Sequence, residues 1–169
     1  MAQDKEATKD CIFTALIMLM EQKEYKYISV TDIARKAGVS RMTYYRTYSS
    51  KEDILVQHFD KIAHAMIDSA NGSARLALVS FFSYFCEHEK LTELLEGADL
   101  MNLLKECFAV FTDYLYKTMH PKARESAVSA YAAQFEAGGV FSVLIGWLKG
   151  GAVESPEEMA NITLKILGR

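Results

Sequence analysis

Apolar residues recur three and four positions apart in nearly every segment of this chain, a spacing that stripes one face of an α-helix and cannot stripe one face of a strand. Ile12, Ala15, Leu16, Leu19 and Met20 mark a first helix over about 4–22. Val30, Ile33, Ala34 and Ala37 mark a short second one, and 41–47 a third. Ser50 caps a fourth, striped by Leu55, Phe59, Ile62 and Met66 and closed by Asn71-Gly72. Leu78, Phe81, Phe82 and Phe85 line a fifth, 91–96 is a short piece, and one stripe runs from Leu100 through Leu104, Cys107, Phe108 and Phe111 to Leu115. An eighth helix is expected to open at Pro121 and run to 149, and a ninth to span 156–167. The chain has two prolines, and each falls where a helix begins. Ser155-Pro156-Glu157-Glu158 joins an N-cap serine, a proline at the first helical position and a glutamate that completes a capping box. No segment reads as a strand, so the expected fold is all-α, with about nine helices.

Charge is unevenly placed. The 169 residues carry a net charge of -3, yet Lys23, Lys26, Arg35, Lys36, Arg41, Arg46 and Lys51 face only Glu24 and Asp32 in the stretch 23–51. From residue 61 onward, acidic residues outnumber basic ones. A basic patch on an otherwise acidic molecule suits an anionic partner met on one face, although clustering by chance reads the same way from charge alone. Cys11, Cys86 and Cys107 are too few and too dispersed for a disulfide framework or a zinc site, and each falls in an apolar helical pattern that suits a core position. With no secretory leader in evidence, the expected compartment is a reducing cytoplasm. The longest apolar run, 137–148, is too short to span a bilayer.

The segment SVTDIARKAGVSRMTYYRTY, residues 29–48, reads as two short helices joined by a glycine turn. Gly38 can take the positive φ of a sharp turn, Ala34 is small enough for close helix approach, and Val39 plugs the junction. Ser40 caps the next helix, whose free N–H groups and positive dipole end favour nearby phosphate. Arg41, Met42 and Tyr44 fall on its first turn, where side chains of a helix–turn–helix reach base edges in the major groove. Thr43, Tyr45 and Lys51 are better placed for phosphate oxygens, which fix register without reading sequence. Ser29, Thr31, Lys36 and Arg46 complete the expected DNA-binding set, while Tyr48 is expected to pack inward.

The string from Ala34 to Leu55 resembles the N-terminal domain of the TetR family of transcriptional regulators. The pattern is an alanine, a glycine turn, Ser-x-x-Thr-x-Tyr, an aromatic and Ser-Lys-Glu-x-x-Leu. Here it falls on Ala34, Gly38, Ser40, Thr43, Tyr45, Tyr48, Ser50, Lys51, Glu52 and Leu55. The resemblance implies that Arg41, Met42 and Tyr44 read bases and that Thr43, Tyr45 and Lys51 hold the DNA backbone. Thr47 stands where the family usually has a histidine, tyrosine or asparagine, and Tyr48 where it has phenylalanine, which weakens any phosphate role for Thr47. The implied domains are a helix–turn–helix head at 1–50 and a regulatory and dimerisation body at 51–169.

Family regulators of this kind are dimers built on their last two helices. Gly138, Ser142, Gly146 and Gly150 recur every four residues and would form a smooth ridge, beside Phe141, Leu144, Ile145 and Leu148. The expected dimer interface is Gly138, Phe141, Ser142, Ile145, Gly146, Ile162 and Ile166, unless Gly138-Gly139 breaks the helix. GGVFSVLIGWLKGG followed by ESPEEMANI resembles a Gram-positive subset of TetR-like proteins, which includes activators of dihydroxyacetone kinase genes that answer to a protein partner. A small-molecule pocket, if present, is expected to be lined by Phe81, Phe85, Phe108, Phe111, Tyr114, Tyr131 and Phe135.

No nucleophile elbow, phosphate loop or histidine pair at metal spacing occurs, so neither catalysis, a cofactor nor a metal is expected. The reading is a homodimeric, operator-binding regulator that acts on near-palindromic double-stranded DNA. A repressor released by a small molecule is the first form of it. A regulator or activator controlled by a protein is the second, and a helical interaction module without DNA the third.

Overall fold

The computed structural model describes residues 2–168, with side chains from Glu6 onward, and all regular structure among them is helical. Ten α-helices follow one another: α1 (Ala2–Met20), α2 (Val30–Ala37), α3 (Arg41–Thr47), α4 (Lys51–Ser69), α5 (Ala74–Glu87), α6 (Glu89–Gly97), α7 (Met101–Cys107), α8 (Ala109–Met119), α9 (Ala127–Lys149) and α10 (Pro156–Ile166). A 3-10 turn at Tyr25–Tyr27 leads into α2. The chain forms two compact units. One holds the residues up to Asp60 and Lys90–Leu104, the other Lys61–Glu89 and everything from Lys105 on.

In the first unit α1 packs on α2 and α2 on α3. Ile12, Leu16, Ile33, Ala34 and Ile54 are almost wholly shielded from water. Removing each large aliphatic side chain from water stabilises the unit by about 1.5–3 kcal/mol. Ser29 caps α2 with a full capping box: Asp32 N donates to Ser29 Oγ at 3.1 Å, and Ser29 N donates to Asp32 Oδ2 at 3.1 Å. Gly38 ends α2 at φ 70°, in the left-handed region. Ser40 then caps α3 by accepting from Thr43 N at 3.0 Å.

In the second unit α10 lies along α5, and α8 packs between α5 and α9. Its centre is a knot of phenylalanines. The Phe81 ring lies 5.0 Å from Phe85, 5.6 Å from Phe108, 5.0 Å from Phe111 and 5.6 Å from Phe141. Each edge-to-face or offset pair adds about 0.5–1.5 kcal/mol to the burial of its area. Trp147 closes the end, its ring 5.4 Å from Phe82 and its indole N–H donating to the Glu154 carbonyl at 3.1 Å.

Several expectations need correction. The stripe from Leu100 to Leu115 is two helices, α7 and α8, interrupted at Phe108, which raises the count from nine to ten. Pro121 does not open a helix. Residues 121–126 lie outside any helix, and α9 starts at Ala127, where Ser126 and Ser129 make a reciprocal capping box. Gly138-Gly139 leaves α9 unbroken. At 23 residues α9 is, by length and composition alone, long and apolar enough to cross a bilayer, unlike the shorter run read from sequence. Of the cysteines only Cys107 is buried, while Cys11 and Cys86 are exposed.

Candidate nucleic-acid interface

Helix α3 is seven residues long and turns one side inward. Tyr44 is 0 % exposed, and its ring lies 5.5 Å from Tyr45 and 5.9 Å from Tyr48. Burial pushes its phenol up to about 12. The Tyr44 hydroxyl finds no hydrogen-bond partner among the described residues. The expected base-reading role of Tyr44 is therefore wrong for this fold. One residue's turn of the helix, about 100°, separates it from Tyr45, and it is Tyr45 that faces water, 53 % exposed. Tyr48 packs inward as expected.

The opposite side of α3 is open. Arg41, Arg46 and Ser40 are exposed, as is Met42 at 71 %. Thr43 is half-buried, its hydroxyl 2.9 Å from the Ser40 hydroxyl, and Thr47 Oγ1 donates to the Thr43 carbonyl at 3.0 Å. The Thr47 hydroxyl is thus spent inside its own helix. On α2, Thr31 and Lys36 are exposed, and the Ser29 hydroxyl donates to Asp32 Oδ2 at 2.7 Å.

The local excess of positive charge narrows to three side chains. Lys23 and Arg35 both pair with Asp32, at 2.7 and 3.1 Å, and Lys26 pairs with Glu24 at 2.8 Å. The Lys23 ammonium and the Ser29 groups hold the Asp32 carboxyl well below the usual carboxylate range. Lys51, expected on phosphate, is turned inward instead. Its ammonium donates to the Tyr25 carbonyl at 2.7 Å and the Ile28 carbonyl at 3.4 Å, and it sits 4.1 Å from the Tyr25 ring centre. The Tyr25 hydroxyl in turn donates to Glu52 Oε1 at 2.8 Å. Lys51 therefore clamps the 25–28 segment to the start of α4. That leaves Lys36, Arg41 and Arg46 with no ion pair among the described residues: Lys36 and Arg41 flank the glycine turn, and Arg46 lies in the last turn of α3. An exposed cationic face around a capped helix start attracts polyanions, and Met42 and Tyr45 add surface for apolar or hydrogen-bonded contact.

Of the residues expected to line a small-molecule pocket, Phe81, Phe85, Phe108 and Phe111 are buried against one another, Tyr114 is half-buried, and Tyr131 and Phe135 point to water. A groove of about 380 Å³ does open between α8 and α9, walled by Ala109, Thr112, Ala133, Ala137, Gly138 and Phe141, with Lys105 and Asp113 at its rim. Sequence periodicity missed it because its walls are small alanines and a glycine, which carry little weight in an apolar stripe. Phe141, expected at a dimer interface, is 2 % exposed and belongs to the core. The other expected interface residues are less enclosed: Ile145 is half-buried, while Gly138, Ser142, Gly146, Ile162 and Ile166 are exposed.

Residues 12–57 match the family described as bacterial regulatory proteins, tetR family. Residues 72–169, more than half of the chain, match a transcriptional regulator C-terminal region. The HTH-type transcriptional regulator EthR of Mycolicibacterium smegmatis is 31% identical over 96 residues, which are 50% of this chain and 43% of that protein. The chain spans less than half the length of the curated regulators it matches. Among solved structures, the dihydroxyacetone kinase operon activator DhaS is similar at TM-score 0.68 and 18% identity, covering 95% of this chain and 93% of that one. The regulator FadR of Bacillus subtilis, solved with stearoyl-CoA, is similar at TM-score 0.61 and 19% identity, covering 93% and 96%. At these identities the two structures speak for the fold alone. The helix–turn–helix head, the helical body and both family matches agree: the chain belongs to the TetR family of DNA-binding transcriptional regulators.

Proposed function

We propose that this chain is a homodimeric repressor that grips a near-palindromic operator with the open side of α3 and releases it when an effector occupies the second unit. The observation that carries the reading is that Lys36 before the glycine turn, Arg41 at the start of α3 and Arg46 in its last turn are all exposed and have no ion pair among the described residues. In this reading Arg41 and Met42 meet base edges and Tyr45 reaches the groove beside them. Ser29, Thr31, Lys36, Ser40, Thr43 and Arg46 hold the phosphates. Two heads about 34–36 Å apart would enter successive major grooves of the duplex. The head is taken to end near residue 50 and the regulatory body to begin at 51. The protein works in the cytoplasm, where its operator is, and α9 serves as a partner helix rather than a membrane anchor.

The effector is assigned to the groove between α8 and α9. Its walls are apolar and its rim carries Lys105 and Asp113, which suits a ligand with an apolar body and a polar end. FadR, a structural neighbour, was solved with an acyl-CoA, a ligand of that general shape. Bound effector would favour a dimer whose heads are wrongly spaced, acting through α4, the helix that runs from one unit into the other. A second reading has its own support: Phe81, Phe85, Phe108 and Phe111 are buried against one another, the close packing expected of a regulator controlled by a protein partner.

The test is binding to sequences selected from random DNA, measured by fluorescence anisotropy for the parent protein and for Arg41→Ala with Tyr45→Ala. The proposal expects the parent to bind selected DNA with at least a hundredfold preference over scrambled DNA, and the double variant to lose most of it. If both proteins behave alike, the chain is an interaction module without DNA and the proposal falls.

A further inference from the structure

A cleft of about 550 Å³ opens inside the first unit, between residues 20–26, which lead from α1 towards α2, and the last turns of α6. None of the residues assigned above to DNA or to an effector lines it. Part of the lining is apolar: Met20 is buried, and Tyr25, Leu94 and Ala98 are half-buried. Gly97 leaves room beside them, since a Cβ placed on it would meet nothing within 4 Å. Both walls are held in place by the chain itself. Leu100 N donates to the Leu95 carbonyl at 2.8 Å and Asp99 N to the Glu96 carbonyl at 3.0 Å, while the Lys51 ammonium grips the Tyr25 carbonyl at 2.7 Å. A site already in shape loses little freedom when it is filled.

The charge around this cleft is opposite in sign to that of the open side of α3. Four lining residues are acidic, Glu21, Glu24, Glu93 and Asp99, and two are basic, Lys23 and Lys26. Both bases are already committed: Lys23 lies 2.7 Å from Asp32 and Lys26 2.8 Å from Glu24. Glu93 has Lys90 at 2.8 Å. Glu21 and Asp99, one on each wall, have no ion pair among the described residues. An anion entering here meets carboxylates that nothing neutralises, whereas a cation completes the balance.

We propose that this cleft binds an amphipathic organic cation, its apolar body against Met20, Tyr25 and Leu94 and its charge toward Glu21 and Asp99. The Tyr25 ring adds an aromatic surface of the kind that favours a poorly hydrated positive charge. A metal ion suits the cleft less, because no group of three or more ligating side chains forms among the described residues. A polyamine would satisfy the carboxylates and leave the apolar lining uncovered. The site lies in the DNA-binding head, against the segment that Lys51 clamps to the start of α4 and that leads into α2. It is separate from the groove between α8 and α9, and it stands whether or not that groove holds an effector.

The test is calorimetric titration of the full chain with tetraphenylphosphonium, beside tetraphenylborate, which has the same shape and the opposite charge. Three variants accompany the parent. Gly97→Leu fills the cleft without backbone strain, since Gly97 is a helical residue with no positive φ. Glu21→Gln with Asp99→Asn removes the two unpaired charges, and asparagine tolerates the φ of 58° at position 99. Ala137→Leu fills the groove between α8 and α9 instead. The proposal expects the phosphonium to bind the parent at least tenfold more tightly than the borate. It expects its dissociation constant to rise at least tenfold in Gly97→Leu and in the double variant, both with parental helical circular dichroism, and to stay unchanged in Ala137→Leu. Absence of binding at millimolar phosphonium overturns the proposal. So does equal affinity for the borate, or binding that survives Gly97→Leu and is lost in Ala137→Leu. None of these results touches operator selection, which decides the proposed function separately.

Discussion

Tyr44→Phe separates an inward-packed Tyr44 from a base-reading one. The substitution keeps the ring, with its contacts to Tyr45 at 5.5 Å and Tyr48 at 5.9 Å, and removes a fully buried hydroxyl that has no partner among the described residues. An unpaired buried hydroxyl costs about 1–3 kcal/mol of desolvation, so its removal is expected to stabilise the protein by about 1 kcal/mol. For a chain of this size that raises the melting temperature by about 2–4 °C, and the urea midpoint should rise with it at unchanged slope. Tyr44→Ala instead empties an aromatic site and should cost about 3–5 kcal/mol. Both variants are followed by circular dichroism in urea and on heating, and Tyr44→Phe is put through sequence selection beside the parent. Equal sequence preference with a higher midpoint is the expected pair of results. A Tyr44→Phe protein that melts lower by more than about 1 kcal/mol has lost a hydrogen bond the fold does not provide for. One that prefers different bases at unchanged stability puts the hydroxyl on DNA. Either result would refute the inward placement.

Lys51→Met should destabilise the head by about 1–3 kcal/mol, because the ammonium's bonds to the Tyr25 and Ile28 carbonyls are lost, and should leave the salt slope of DNA binding unchanged. Arg46→Ala should do the reverse, flattening the slope of log K against log salt by about 0.9 with little change in melting. Gly38→Ala meets no atom within 4 Å yet forces a side chain into φ 70°, so it should cost about 1–2 kcal/mol from backbone strain alone, read as a lower urea midpoint. The raised Tyr44 phenol stays neutral in the fold while an unfolded tyrosine ionises near pH 10. Its contribution to stability is therefore whole below pH 10 and is lost as pH climbs through about 12, a fall to be followed by melting and phenolate absorbance.

What was legible in the sequence was what local chemistry decides. Gly38, Ser40 and the Ser155-Pro156 start each act within four residues, and each sits as its pattern implies. The start of α9 departs from its pattern for the same reason in reverse, while its end at Lys149 falls where expected. Pro121 is a permitted helix start, but the Ser126–Ser129 box is a stronger one, and a serine pair advertises itself less than a proline. Choosing between Tyr44 and Tyr45 needed tertiary packing, since two adjacent aromatics on a seven-residue helix offer no periodicity to separate them. Lys51 was beyond reach because its carbonyl partner at Tyr25 is twenty-six positions away. The aromatic residues named for a pocket carry the right composition for one. Whether rings surround a ligand or one another depends on helix spacing, and here Phe81 and Phe111 stack face to face at 5.0 Å.

The central claim is that the open side of α3, presented twice by a dimer, reads DNA. Selection of bound sequences from a random duplex library tests it most directly. The account predicts a near-palindrome with half-site centres about 10 base pairs or a multiple apart, and an Arg41→Ala, Met42→Ala variant that no longer enriches it. An unenriched library, or one enriched equally well by that variant, would contradict the account.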